Sequence, residues 1–153
     1  METKNSVPTE GLAILTNYNP YNHSGWIQIV ELESGKIILA EEYWNFKSND
    51  NALGLVAVSK ACLHCESNNY SNKIYCSNAV SYKWAIEKRF NTKTSSPNVL
   101  KLLEVYIWLL EERDFSNVIS FWQPHWGNLR EHVSYMQALH TAISAVERFL
   151  KPE

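Results

Sequence analysis

Residues 26–46 read WIQIVELESGKIILAEEYWNF, and this stretch decides the fold. Apolar and polar residues alternate over 26–32, which is the period of a half-buried strand. Ser34-Gly35 is turn chemistry, and residues 36–46 return rich in Ile, Leu and aromatics, so the two runs form a hairpin. Upstream, residues 11–17 (GLAILTN) are long enough for a buried strand and short for a helix. Asn19-Pro20-Tyr21-Asn22 supplies the turn that follows. The first third of the chain is therefore predicted to be a three-stranded antiparallel meander.

Beyond residue 46 the period changes to that of helices. Ser48-Asn49-Asp50 offers an N-cap for a helix over 51–66. Residues 72–77 (NKIYCS) read as a short strand, 80–90 as a second helix and 91–97 as a polar loop. A third helix is predicted over 99–113, with Leu102, Leu103, Tyr106, Leu109 and Leu110 at helical spacing. Residues 117–122 (NVISFW) read as a fifth strand. The last helix, 129–150, carries a stripe at Leu129, Val133, Met136, Leu139, Ile143, Val146 and Leu150. The order β-β-β-α-β-α-α-β-α predicts an α/β fold, a five-stranded mixed sheet with its first three strands antiparallel and helices on its faces. No repeat or Pro/Gly-rich linker divides the chain, so one domain is expected over 11–153 behind a loose lead-in at 1–10.

Composition narrows the function. The 153 residues are 45% hydrophobic and 20% charged, which suits a chain with a real core. Lys and Arg total 14 against 16 Asp and Glu, a formal charge of -2, so bulk charge does not hold nucleic acid although a local basic face can. No apolar run approaches the roughly 20 residues of a membrane span, and residues 1–10 lack the pattern of a presequence. Three cysteines are too few for a disulfide framework, so a cytoplasmic location is expected.

Several local motifs fall in a recognisable order. They are the Ser34–Leu39 hairpin SGKIIL, Asn49-Asp50-Asn51 followed by Leu55-Val56-Ala57-Val58, and Ile74-Tyr75 with Trp84 downstream. They continue with residues 98–110 and with ISFWQPHWG at 119–127. Together they resemble the bacterial type-1 ribonuclease H family, in the branch whose last motif is W-G-E followed shortly by A-D. Their counterparts there are T-G-E-V-L-F, N-N with F-L-A-I, I-Y-S-D-S with a Trp-bearing helix, N-x-x-L with W-L, and K-W-x-T-x-x-W-G. The similarity covers roughly residues 12–140.

The resemblance implies a ribonuclease H-like fold, and its chemistry requires clustered carboxylates that hold two metal ions about 4 Å apart. At each expected place this chain has something else. The first acid falls on Asn17, or Thr16 one residue earlier, the second on Gly54, and the third on Ser77 or Asn78. In the last motif the Glu falls on Asn128 and the Asp on His132, with Glu131 beside it. Residues 11–30, 51–65 and 72–86 contain no Asp or Glu, so a shift of register does not restore the site. Amides and hydroxyls do not offset two divalent cations. The resemblance thus implies a ribonuclease H-like chain without catalysis and without a bound metal or other cofactor.

Other constellations admit plain structural roles as well as functional ones. Cys62-Leu63-His64-Cys65 has C-x-x-C spacing, with Cys76 as a third thiol, yet small buried hydrophobes explain them as well. His125 and His132 lie near the expected centre without an identifiable acidic or cysteine partner. Lys83, Lys88, Arg89, Lys93 and Lys101 form a basic run interleaved with Trp84 and Phe90, with only Glu87 and Glu104 nearby. Such a run suits phosphate contact and base stacking, or simply a solvated helix face. Trp44, Trp122 and Trp126 are candidates for an exposed partner face. The last helix, flanked by Ala138, Ala142 and Ala145, can cover the sheet with one face and a second copy of the chain with another.

Three functions follow. In the first, a non-cleaving protein binds RNA/DNA hybrid or another duplex through Lys83, Trp84, Lys88, Arg89 and Lys93. In the second, the fold is an interaction module that pairs, for instance, as a homodimer through the last helix or exposed aromatics. In the third, a divergent metal-dependent hydrolase has moved its ligands.

Overall fold

The structure is a computed structural model and describes residues 7–68 and 73–151. Strands β1 (Leu12–Asn19), β2 (Ser24–Glu31) and β3 (Ile37–Tyr43) form the expected antiparallel meander. Strand β4 (Ile74–Cys76) joins the other edge of β1 in parallel, and β5 (Ile119–Phe121) joins β4 in parallel. The sheet order is β3-β2-β1-β4-β5, an arrangement generically consistent with the ribonuclease H-like shape.

The hairpin turn depends on Gly35. Its φ is +74°, and a Cβ there would stand 2.7–2.8 Å from the Cγ, Cα and N atoms of Gln137. Only glycine combines that backbone with so close an approach. Gln137 in turn donates from Nε2 to the Gly35 carbonyl at 3.0 Å, which ties the hairpin to the last helix.

Four helices cover the sheet: α1 (Asp50–Ser67), α2 (Ala79–Glu87), α3 (Pro97–Glu112) and α4 (Leu129–Leu150). Each starts at a side-chain cap, from Asn49, Asn78, Ser96 and Asn128 respectively. Helix α1 is buried on almost every side, from Ala52 through Ser59 and again at Ala61, Cys62 and Cys65, as a helix apolar all round must be. It packs with α2 and α3 on one face of the sheet, around Leu53, Ile27, Ile29, Ile74 and Leu103. The opposite face holds a smaller core of Ala13, Leu15, Val30, Leu32, Trp122, Leu129 and Val133, supplied from α4 and the segment after β5.

Some element ends differ from the expected ones. Helix α2 stops at Glu87 because Lys88 takes a left-handed conformation (φ 58°), and the Arg89 N–H closes on the Trp84 carbonyl. Strand β3 ends at Tyr43, two residues before Asn45 turns to φ 61°. Residues 124–126 form a turn of 3-10 helix that the sequence pattern did not predict. Residues 1–6 of the expected lead-in and Asn72 of the expected fourth strand lie outside the described residues, while Val7 packs on the smaller core.

Helix α4 has the expected bounds, but it covers the sheet only in part. Leu129 and Val133 are buried and Met136 is half-buried, whereas Leu139, Ile143, Val146 and Leu150 are exposed.

Candidate functional site

Beside the middle of β1, past the C-terminal ends of β4 and β5 and next to the start of α4, the surface opens into a cleft of about 540 Å³. Thr16, Ser77, Asn128 and Arg130 give its polar lining, and Ile14, Phe121 and Trp122 lie among its apolar walls. Three of the places the resemblance gives to carboxylates therefore converge here: Thr16 on β1, Ser77 after β4 and Asn128 before α4.

The other places do not line the cleft. Asn17, the first choice on β1, is one residue on and so points to the opposite side of the strand, into a shallow hollow with Glu42, Trp26 and Trp44. Gly54 is fully enclosed where α1 meets α2. A Cβ there would stand 2.1 Å from Ser81 Oγ, and Ser81 Oγ itself donates to the Asn51 carbonyl at 2.7 Å. Asn78 Nδ2 completes the junction by donating to Asn51 Oδ1 at 3.0 Å. A helix contact thus fills the place where the resemblance expects a catalytic glutamate.

His132 packs into an aromatic cluster. Its ring lies 5.5 Å from that of Trp122, which is 5.0 Å from Trp126 and 5.6 Å from Tyr75. The His132 Nε2 and Trp126 Nε1 atoms are buried without hydrogen-bond partners among the described residues, and burial pulls the imidazole pKa down. Trp122 was a candidate for an exposed face, but it is 3% exposed and donates from Nε1 to the Gly127 carbonyl at 2.9 Å. Trp126 is half-buried in the same cluster, which leaves Trp44 as the exposed member of the three.

The donor set of the cleft does not fit two divalent cations. Asn128 Oδ1 is already committed to the Glu131 N–H as a helix cap, and the remaining groups are hydroxyls and a guanidinium. Among the described residues, no three His, Cys, Asp or Glu side chains stand close enough together to hold a metal ion. Cys62, Cys65 and Cys76 are all buried free thiols. Burial raises each of their pKa values, to about 11 for Cys65 and Cys76, so they are protonated at neutral pH.

The charge of the cleft comes from Arg130, which the sequence reading did not single out. Its Nη2 donates to the Thr16 carbonyl at 2.6 Å and its guanidinium lies 5.1 Å from the Trp26 ring centroid. The one signal for it was its place as the single Lys or Arg in GNLREHV, residues 127–133.

The basic run starts from the same edge. Helix α2 begins two residues after Ser77 and carries Lys83 to the surface, with Lys88 at its C-cap. Its nine residues span roughly 13 Å from the cleft to that cap. Glu87 takes part of the charge: Arg89 Nη2 lies 2.6 Å and Lys83 Nζ 4.0 Å from its carboxylate oxygens. Lys93 is exposed in the loop beyond. Trp84 is 9% exposed and belongs to the main core, so its ring is not on the surface for stacking. Phe90 is half-buried against the same core.

Comparison with protein-family models and with curated proteins gives no match. The class defined by the fold is an α/β protein with a mixed five-stranded sheet flanked by helices, a topology generically consistent with the ribonuclease H-like shape. No helix among the described residues is long and apolar enough to cross a membrane.

Proposed function

We propose that this chain is a non-cleaving ribonuclease H-like protein that binds RNA/DNA hybrid or another nucleic-acid duplex along the cleft edge of its sheet. One observation carries the reading. Where the resemblance expects a ring of acids, the cleft has Thr16, Ser77, Asn128 and the Arg130 guanidinium, and none of its lining residues is acidic. A cation in place of carboxylates favours a phosphate without a metal to bridge it. Helix α2 continues the same edge toward Lys83, Lys88, Arg89 and Lys93.

The test is binding of a fluorescent hybrid followed across a salt series. Each phosphate contact adds about 0.9 to the slope of log affinity against log salt on duplex DNA. Three or four contacts cost roughly two orders of magnitude between about 50 and 200 mM salt. Lys88→Ala with Arg89→Ala flattens the slope, and Glu87→Gln, which releases two cations, steepens it. With magnesium or manganese the hybrid stays intact. No binding at low salt overturns the reading, and so does turnover that survives repurification and is lost in Glu131→Gln.

A further inference from the structure

The nucleic-acid reading makes no use of the outer half of α4. Gln137 holds the Gly35 carbonyl, and His140 and Thr141 still line a hollow beside the Glu31–Lys36 turn; the rest of the helix projects from the body, and Leu139, Ile143, Val146, Phe149 and Leu150 are exposed. Phe149 is 91% and Leu150 77% exposed. These residues continue the stripe that covers the sheet at Leu129 and Val133. The spacing of Leu139, Ile143, Val146 and Leu150 is four-three-four, the seam of a left-handed helix pair.

We infer that this segment pairs antiparallel with the same segment of a second copy of the chain. Three features select that occupant. The first is shape. With the twofold axis between Ser144 and Ala145, Leu139 of each copy lies beside Leu150 of the other, and Ile143 beside Val146. On one flank the small Ala142 then faces the large Phe149.

The second feature is charge. The other flank sets His140 against Glu147 twice, once in each direction, while Arg148 lies away from the seam. No like charges meet. A parallel pair would align each residue with itself, forfeit the His140–Glu147 contact and crowd both bodies at one end.

The third feature is length. Residues 139–150 span about 18 Å, and in this register the overlap ends beside the hairpin turn that Gln137 and His140 border. Phe149 and the four seam residues present on the order of 500 Å² of apolar surface per copy. Doubled, that reaches the roughly 1,000 Å² at which a specific interface starts.

The experiment is sedimentation of the full chain at tens of micromolar, where twice the 17.7 kDa chain mass is expected. Ile143→Asp buries two unpaired carboxylates in the pair and weakens it by a hundredfold or more. Because Ile143 is exposed in the single chain, the circular dichroism of that variant stays unchanged, and its melting matches that of the parent at concentrations too dilute for pairing. The register is read by mixing Leu139→Cys with Leu150→Cys under mild oxidation. The mixed sample forms a cross-linked dimer and neither variant alone does so. A chain that sediments as a monomer, a dimer that survives Ile143→Asp, or self-linking of Leu139→Cys each overturns the inference. Hybrid binding by monomeric Ile143→Asp tests the nucleic-acid reading separately, so either result can fail without the other.

Discussion

The two faces of the sheet are covered very differently. On one, three helices enclose a core that runs from Leu12 and Ile27 to Leu103 and Phe115. On the other, two turns of α4 and the Trp122 cluster cover a core of seven residues. Side chains on the thick face are fixed by neighbours on all sides, and a chemical group there has no room to reach a substrate. The thin face leaves its rim open: Arg130 and the projecting end of α4 lie there, and the cleft opens at its boundary with the thick face, between Ile14 on one side and Leu15, Trp122 and Leu129 on the other. In this chain packing has taken over the interior of the thick face, whose surface chemistry is confined to the basic end of α2, while the thin face carries Arg130 and the free end of α4.

The sharpest way to break that contrast is to restore carboxylates on each side. Gly54→Glu drives a Cβ into Ser81 Oγ and buries a charge between α1 and α2. It is expected to cost well above about 3 kcal/mol, enough to leave little folded protein. Ser77→Asp places its carboxylate on the exposed rim of the cleft and is expected to stay within about 0.5 kcal/mol. Urea denaturation of both variants checks the difference. A stable Gly54→Glu protein would mean that the α1–α2 junction is looser than its contacts.

How much of this was legible in the sequence follows the same division. The strand alternation of WIQIVEL, the turn at Ser34-Gly35 and the cap at Asn49 are local signals, and each marks the element where it stands. The resemblance brought Thr16, Ser77 and Asn128 to one edge because element order alone sets that edge. The Gly54–Ser81 contact joins residues on two helices, and no local period reports it. Trp84 and Trp122 read like the exposed Trp44 because a tryptophan's burial depends on which helix lies over it. The α4 stripe is one continuous pattern, so the point where the sheet runs out beneath it could not be read from spacing.

A smaller effect separates the two faces by pH. His132 is held neutral on the thin face, with its pKa lowered by burial and its Nε2 unpaired among the described residues. The unfolded chain takes up this proton near pH 6.5 and the folded chain only at lower pH. Stability from His132 is therefore present above about pH 6.5 and is lost as the pH falls toward the folded value. His132→Phe keeps the ring against Trp122 and removes the titration. Melting temperatures between pH 7 and pH 5 should converge less steeply on unfolding in the variant than in the parent. Parallel curves would show that His132 is not the group responsible.

The smallest expected effect lies at the outer strand of the thick face. Lys60 on α1 reaches Glu41 on β3 at 2.9 Å, and the Tyr43 hydroxyl donates to the same carboxylate oxygen at 2.7 Å. Burial works against the Glu41 carboxylate, but the Lys60 ammonium and the Tyr43 hydroxyl outweigh it and hold its pKa below the usual value. A depressed carboxylate contributes stability that is present above its unfolded pKa, about 4.3, and is lost as the pH falls through the folded value. The pair is partly exposed, with 24% of the Lys60 and 38% of the Glu41 side chain accessible, so solvent screens it. Glu41→Gln should cost about 0.2–1 kcal/mol at neutral pH, and the loss should shrink as the pH falls through the folded value and the parent carboxylate takes up its proton. Adding salt should shrink the loss further, because the attraction is screened while the core beneath it is not. A loss that neither acid nor high salt reduces would assign the effect to packing of β3 on α1, and the thick face would then owe its outer edge to shape alone.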